Sequence, residues 1–333
     1  MSSSISSSDA PWRAFVRTFA AVAGLAFVGL VAAAVALDPY DTGRFALLRK
    51  PGVLDQGPRT ANASRGRDPV FDGAIIGNSH IQLVSPQELT QATGIPFVSL
   101  IVPGTGPREQ FATLDYFLRT RARPARALVV GLDGFWCTDD PALPIWNPFP
   151  FWLYDPSLAA YVRGLVRYAT LGKMVDRLSV AAGRGKRARP DGYWDYEQYR
   201  AWQQDAIAST LALRDVSLAK NTTGAFPALD GLAQHLARIP ADVSVVLVRP
   251  PVYVTALPDA GTPDATVEEG CRAAMRRVAA GRARTVLVDW RTDRSETRAI
   301  ENWFDHTHYR AAVARALEAD IAAALRRMAG PGL

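Results

Sequence analysis

A short apolar run that halts at a glycine occurs three times in the first half of the chain. Gly73-Ala74-Ile75-Ile76 runs into Gly77-Asn78-Ser79-His80, Phe97 to Val102 into Pro103-Gly104-Thr105-Gly106, and Ala127 to Val130 into Gly131-Leu132-Asp133-Gly134. Unbroken apolar runs of this length suit strands covered on both faces. Between them lie helical patterns: Pro86 to Thr93, then a helix opening at Pro107 whose Phe111, Leu114 and Leu118 share one face. This alternation predicts an α/β fold built on a parallel sheet, with Ser79, Gly104 and Asp133 side by side at its carboxyl edge. Gly77 is expected to supply backbone angles that a larger residue would resist.

The same rhythm returns late in the chain. Leu229 to Ile239 reads as a helix, Val243 to Val248 as a strand, Thr266 to Ala280 as a helix and Thr285 to Val288 as a last strand. Val313, Leu317, Ile321 and Leu325, four apart, mark the closing helix. Between about 135 and 225 the rhythm breaks, and this stretch is expected to be an insertion with some helix around Leu158 to Leu178. It carries Trp136, Trp146, Trp152, Trp194 and Trp202. Such aromatics stack on sugar rings, line an acyl-chain cleft, meet lipid headgroups, or simply form the insertion's own core. Its basic cluster, Arg184, Lys186, Arg187 and Arg189, is either a solvated loop or a surface that steers an anionic partner.

The amino terminus sets the compartment. Thr18 to Leu37 holds no charge and is about 20 residues long, enough to cross a bilayer. Residues 1–17 are then a cytoplasmic end carrying Arg13 and Arg17, 18–37 a transmembrane anchor, 38–72 a Pro/Gly-rich linker whose first part is either free or packed against the domain, and 73–330 an exported domain on the extracytoplasmic (periplasmic) side. A cleaved signal peptide and a buried core helix are the competing readings of the same segment. In an oxidising compartment Cys137 and Cys271 are either a disulfide or two buried thiols. Hydrophobic residues make up 48% of the chain, which is enough for a large core and excludes a disordered protein. The net charge of +6 is dispersed and no nucleic-acid module is present, so no nucleic-acid partner is expected. No grouping of His, Cys and carboxylates has metal-ligand spacing, and no cofactor is expected.

The chemistry-bearing residues fall at the two ends of the α/β region. A serine hydroxyl becomes a nucleophile only when an oriented imidazole takes its proton. Ser79 stands at the end of the first strand, and Asp305-His306-Thr307-His308 precedes the last helix. A carboxylate three residues before His308 can reach the ring and fix its tautomer, so His308 is preferred to His306 as the base.

Gly77-Asn78-Ser79, the glycine turn after the second strand, Gly131-Leu132-Asp133-Gly134 and Asp305-x-x-His308, in this order, resemble the SGNH hydrolase superfamily, also called GDSL esterases and lipases. The resemblance covers most of the chain from Gly73 onward and leaves the aromatic stretch unmatched. It implies a flavodoxin-like three-layer α/β/α domain, with Ser79 as nucleophile, His308 as base, Asp305 as its orienting carboxylate and Gly104 as an oxyanion donor. Family members commonly carry an aspartate where Asn78 stands and an asparagine donor where Asp133 stands. An ionised Asp133 facing a developing oxyanion would oppose the reaction, so either Asp133 points elsewhere, or Asn78 or another amide replaces the donor, or catalysis is weak or lost. The resemblance further implies an esterase or O-acyltransferase working on acyl, above all acetyl, esters of a cell-envelope or exported polysaccharide, and leaves open a membrane partner that passes acyl groups across. A non-catalytic glycan-binding or assembly protein and a lysophospholipase are the alternatives.

Overall fold

The computed structural model describes residues 9–45, 53–121, 123–215 and 220–329. Twelve α-helices and five strands follow one another among these residues. In chain order they are α1 (Asp9–Leu37), α2 (Pro58–Arg67), β1 (Gly73–Ile76), α3 (Pro86–Thr93), β2 (Phe97–Ser99), α4 (Pro107–Arg119) and β3 (Ala127–Gly131). Then come α5 (Phe151–Tyr154), α6 (Leu158–Leu165), α7 (Tyr168–Ala181), α8 (Gln204–Ala212), α9 (Pro227–Ala237), β4 (Ser244–Arg249), α10 (Pro263–Ala280), β5 (Thr285–Asp289), α11 (Ser295–Arg298) and α12 (Ala311–Ala329).

All four strand pairings are parallel, in the order β2-β1-β3-β4-β5. β1, β3 and β4 are buried throughout, which is why their sequences are apolar without alternation. Alternate residues nonetheless feed two separate cores. Ala74, Ile76, Leu128, Val130, Val245 and Leu247 pack with α4, α9 and α10. Ile75, Val129, Val246 and Val248 pack with α3, α8 and α12. Helices therefore cover both faces. Val313, Leu317, Ile321 and Leu325 of α12 are all buried, and each such side chain contributes roughly 1.5–3 kcal/mol.

The first topological reversal falls between β1 and its two neighbours, β2 and β3, the place where doubly wound sheets open a crevice at their carboxyl edge. β2 stops at Ser99 rather than at the expected Val102. There the Ser99 N–H, on the sheet's outer edge, donates to the Asp191 carbonyl at 2.7 Å. Gly192, at φ +74°, lets that chain press in, since a Cβ would lie 2.2 Å from the Ser99 carbonyl oxygen. An otherwise open strand edge is thus covered.

Three segments differ from the sequence expectation. In the 38–72 stretch, Asp38, Tyr40, Asp41 and Thr42 are buried, the packed first part that the sequence allowed, while 58–67 form an unexpected helix, α2, that buries most of its length. Residues 46–52 lie outside the described part. The Leu158 to Leu178 helix is two helices, α6 and α7, separated at Val166-Arg167. α1 begins at Asp9, earlier than the uncharged segment, and Pro11–Leu37 is long and apolar enough to cross a membrane, with 6% of its most apolar window buried in the protein. Cys137 and Cys271 form a disulfide joining the turn after β3 to α10.

Candidate active site

Three strand-end turns meet at the carboxyl edge. After β1, Ser79 opens a single 3-10 turn, Ser79–Ile81, whose cap is Asn78: its side-chain oxygen accepts the His80 N–H at 3.1 Å. Gly77 is needed here for closeness rather than for an unusual backbone angle, since its φ is not positive. A Cβ on Gly77 would lie 2.6 Å from Ile81 Cδ1, and one on Gly131 of β3 would lie 2.7 Å from the same atom. Ile81 thereby wedges into a notch between the ends of β1 and β3 and fixes the turn that carries Ser79.

Asn78 ties the turns together. Its amide donates to the Thr105 carbonyl at 3.0 Å and to the Asp133 carboxylate. Both amide hydrogens are engaged, so Asn78 is arranged as a brace of the three turns. Gly104 does require its glycine: φ is +66°, and a Cβ would sit 2.7 Å from Asn147 Nδ2, which donates to the Gly104 carbonyl at 3.1 Å. Among the described residues the Gly104 N–H donates to no protein group.

The loop before α12 presents His308. Asp305 accepts the backbone N–H groups of Thr307 at 2.9 Å and His308 at 2.8 Å, and both its carboxylate oxygens lie 2.9 Å from His308 Nδ1. A carboxylate held in that way fixes the proton on Nδ1 and leaves Nε2 as the basic nitrogen. Burial opposes ionisation of Asp305, but hydrogen bonding and charge from His308, with the two backbone N–H groups, outweigh it and hold the carboxyl well below the usual range. Arg200 adds a cation 3.3 Å from the same carboxylate. His306 is occupied otherwise: its Nε2–H donates to the Leu213 carbonyl at 2.8 Å.

A second imidazole–carboxylate pair stands beside the first. His80 Nδ1 lies 3.2 Å from Asp133 Oδ2, and the His80 and His308 rings meet edge to face with centroids 5.5 Å apart. Asp133 is thus turned onto His80, the Asn78 amide and the Phe135 N–H, which donates to it at 3.0 Å. These partners satisfy the carboxylate, and it stands in the structure as a second orienting group.

His80, His308 and Asp305 line a cleft of about 760 Å³ together with Phe135, Pro144 and Trp146. Phe135 and Trp146 lie 5.1 Å apart, and Trp146 is 58% exposed, offering a flat apolar surface at the mouth. Ser79 is partly exposed and adjoins His80 in the chain, but Ser79, Asn78, Gly104 and Asp133 do not themselves line this cleft. Among the described residues no hydrogen bond joins the Ser79 hydroxyl to His308.

Sequence reasoning reached the Asp305/His308 pair and the three turns. It passed over His80 as a cleft residue, although that residue adjoins Ser79. It also missed Asp215 and Lys220, which border the cleft and carry no pattern that would have flagged them. Trp136, counted among the insertion's aromatics, is wholly buried in the sheet's main core. Among the described residues no group of three or more His, Cys, Asp or Glu could hold a metal ion. No protein-family model matches the chain, and no curated protein matches it.

Proposed function

We propose that the chain is a membrane-anchored SGNH-like serine esterase or O-acyltransferase acting on acetyl esters of a cell-envelope or exported polysaccharide, its catalytic domain on the extracytoplasmic side. The observation that carries this reading is the Asp305–His308 pair, its Nδ1 held by both carboxylate oxygens, at the sheet edge where Ser79 opens the turn after β1. The strand order and the helices on both faces support a flavodoxin-like, SGNH-like domain, and the disulfide suits an oxidising compartment.

On this reading Ser79 Oγ attacks the ester carbonyl carbon while its proton passes to His308 Nε2. Asp305 stabilises the imidazolium, and the Gly104 N–H, which donates to no protein group among the described residues, takes the role of oxyanion donor. Collapse of the tetrahedral intermediate expels the sugar oxygen, which takes the proton from His308 and leaves Ser79 acylated. Water, or a second sugar hydroxyl deprotonated by His308, then attacks the acyl carbon and frees the serine. The Phe135–Trp146 surface offers a platform for a sugar ring. The same surface favours one other reading, a glycan-binding protein that performs no chemistry.

The two separate by labelling. The full chain in detergent should react with a serine-directed fluorophosphonate, and Ser79→Ala should abolish the label. A folded wild type that neither labels nor releases acetate from acetylated glycans would sink the catalytic reading and leave glycan binding.

A further inference from the structure

α7 turns its apolar side outward. Tyr168, Leu171, Val175 and Leu178 are spaced by three, four and three residues and so form one stripe along the helix. They are 90, 38, 62 and 48% exposed. The opposite face buries Thr170, Arg177 and Val180, with the Arg177 guanidinium 2.9 Å from Asp41. A helix on a watery surface does the reverse, burying its apolar stripe and solvating its cations. A contiguous exposed apolar face of this kind marks a contact surface.

The surroundings say what meets it. α7 begins against α1: Phe27, Leu30 and Ala34 share a groove of about 240 Å³ with Tyr168, Leu171 and Met174. Those α1 residues belong to the segment able to cross a membrane, and Phe27 lies ten residues before its end at Leu37, or about 15 Å along a helix axis. The stripe is therefore continuous with the lipid-facing surface of the anchor. At its other end α7 runs directly into the exposed cations Arg184, Lys186 and Arg187. Apolar residues beside the anchor, followed by cations toward the anchor's outer end, are the pattern of a helix set into an anionic interface.

We propose that α7 dips into the bilayer beside α1, its amino end deepest, its Tyr168–Leu171–Val175–Leu178 stripe among the acyl chains and its following basic loop on anionic phospholipid headgroups. The assignment depends on α1 spanning the membrane and not on any catalytic reading of the cleft.

The test uses the full chain, its native disulfide intact, in phosphatidylcholine vesicles with and without phosphatidylglycerol. A nitroxide at Val175→Cys is compared with one at Val22→Cys in α1 and one at Gln234→Cys on the exposed side of α9, by collision with oxygen and with a water-soluble nickel chelate. The oxygen-to-nickel ratio at 175 should exceed that at 234 by about fivefold or more, as for a site below the headgroups. Reversing the charge of Arg184, Lys186 and Arg187 to glutamate should lower the ratio at 175 only where phosphatidylglycerol is present, and an unchanged ratio would remove the anionic-headgroup assignment. A label at 175 as wet as that at 234, while 22 reads as inserted, overturns the proposal. Shielding of 175 from both reagents in vesicles and detergent alike would mean a protein partner or second copy, and overturns it too. A wet label at 22 removes the span and the proposal with it.

Discussion

Two imidazoles share one cleft, and the carboxylates behind them are not equivalent. Asp305 gives both oxygens to His308 Nδ1, whereas Asp133 divides itself among His80, the Asn78 amide and the Phe135 N–H. The better-held ring is the stronger candidate base. His308→Gln should therefore slow fluorophosphonate labelling of Ser79 by about 10²–10⁴-fold, the usual worth of a general base, while His80→Gln leaves the label rate within about tenfold of wild type. Equal losses in the two variants, measured by gel fluorescence against time, would show that the pair acts as a unit. At this scale the sequence spoke clearly where spacing permits a contact: a carboxylate three residues before an imidazole can reach its ring, as Asp305 reaches His308. It was silent where the fold supplies the neighbour, since nothing in the order of residues brings His80 onto Asp133.

Elements were legible to the extent that burial leaves a periodic trace. The four-residue spacing of Val313, Leu317, Ile321 and Leu325 and the unbroken apolar runs of β1, β3 and β4 lie where expected, because a buried face must repeat with the period of its element. α2 escaped notice for the complementary reason. It is a buried helix of small and polar residues, among them Ala61, Asn62, Ser64 and Arg65, whose polar groups find partners only after folding, as Ser64 does with Asp41 at 2.6 Å. Gly77 shows a third case, a glycine read for its backbone freedom that serves packing. Gly77→Ala should destabilise the protein by about 1–3 kcal/mol through collision with Ile81, measured by denaturant unfolding, and the cost should shrink when Ile81→Ala is added. Additive losses would place the strain elsewhere.

For the molecule as a whole, the sequence left open whether the two cysteines are joined, because pairing depends on strand order, which composition does not state. The bond between Cys137 and Cys271 spans 134 residues and ties the turn beside the cleft to α10. Replacing both by alanine should lower unfolding free energy by about 2–5 kcal/mol in chemical denaturation, and no change would mean that packing alone holds that turn. The end of α1 is bound just as firmly. Asp38 accepts Thr42 and Tyr161 hydroxyls, each at 2.8 Å, and Asp41 engages Ser64, Arg67 and Arg177. If α1 spans a membrane as proposed, such a foot makes it a mast and not a leash. A leashed domain would sweep a hemisphere of solution, whereas one on a mast works at a single height and bearing, so under the proposed function it would serve polymers that pass through that narrow shell above the membrane.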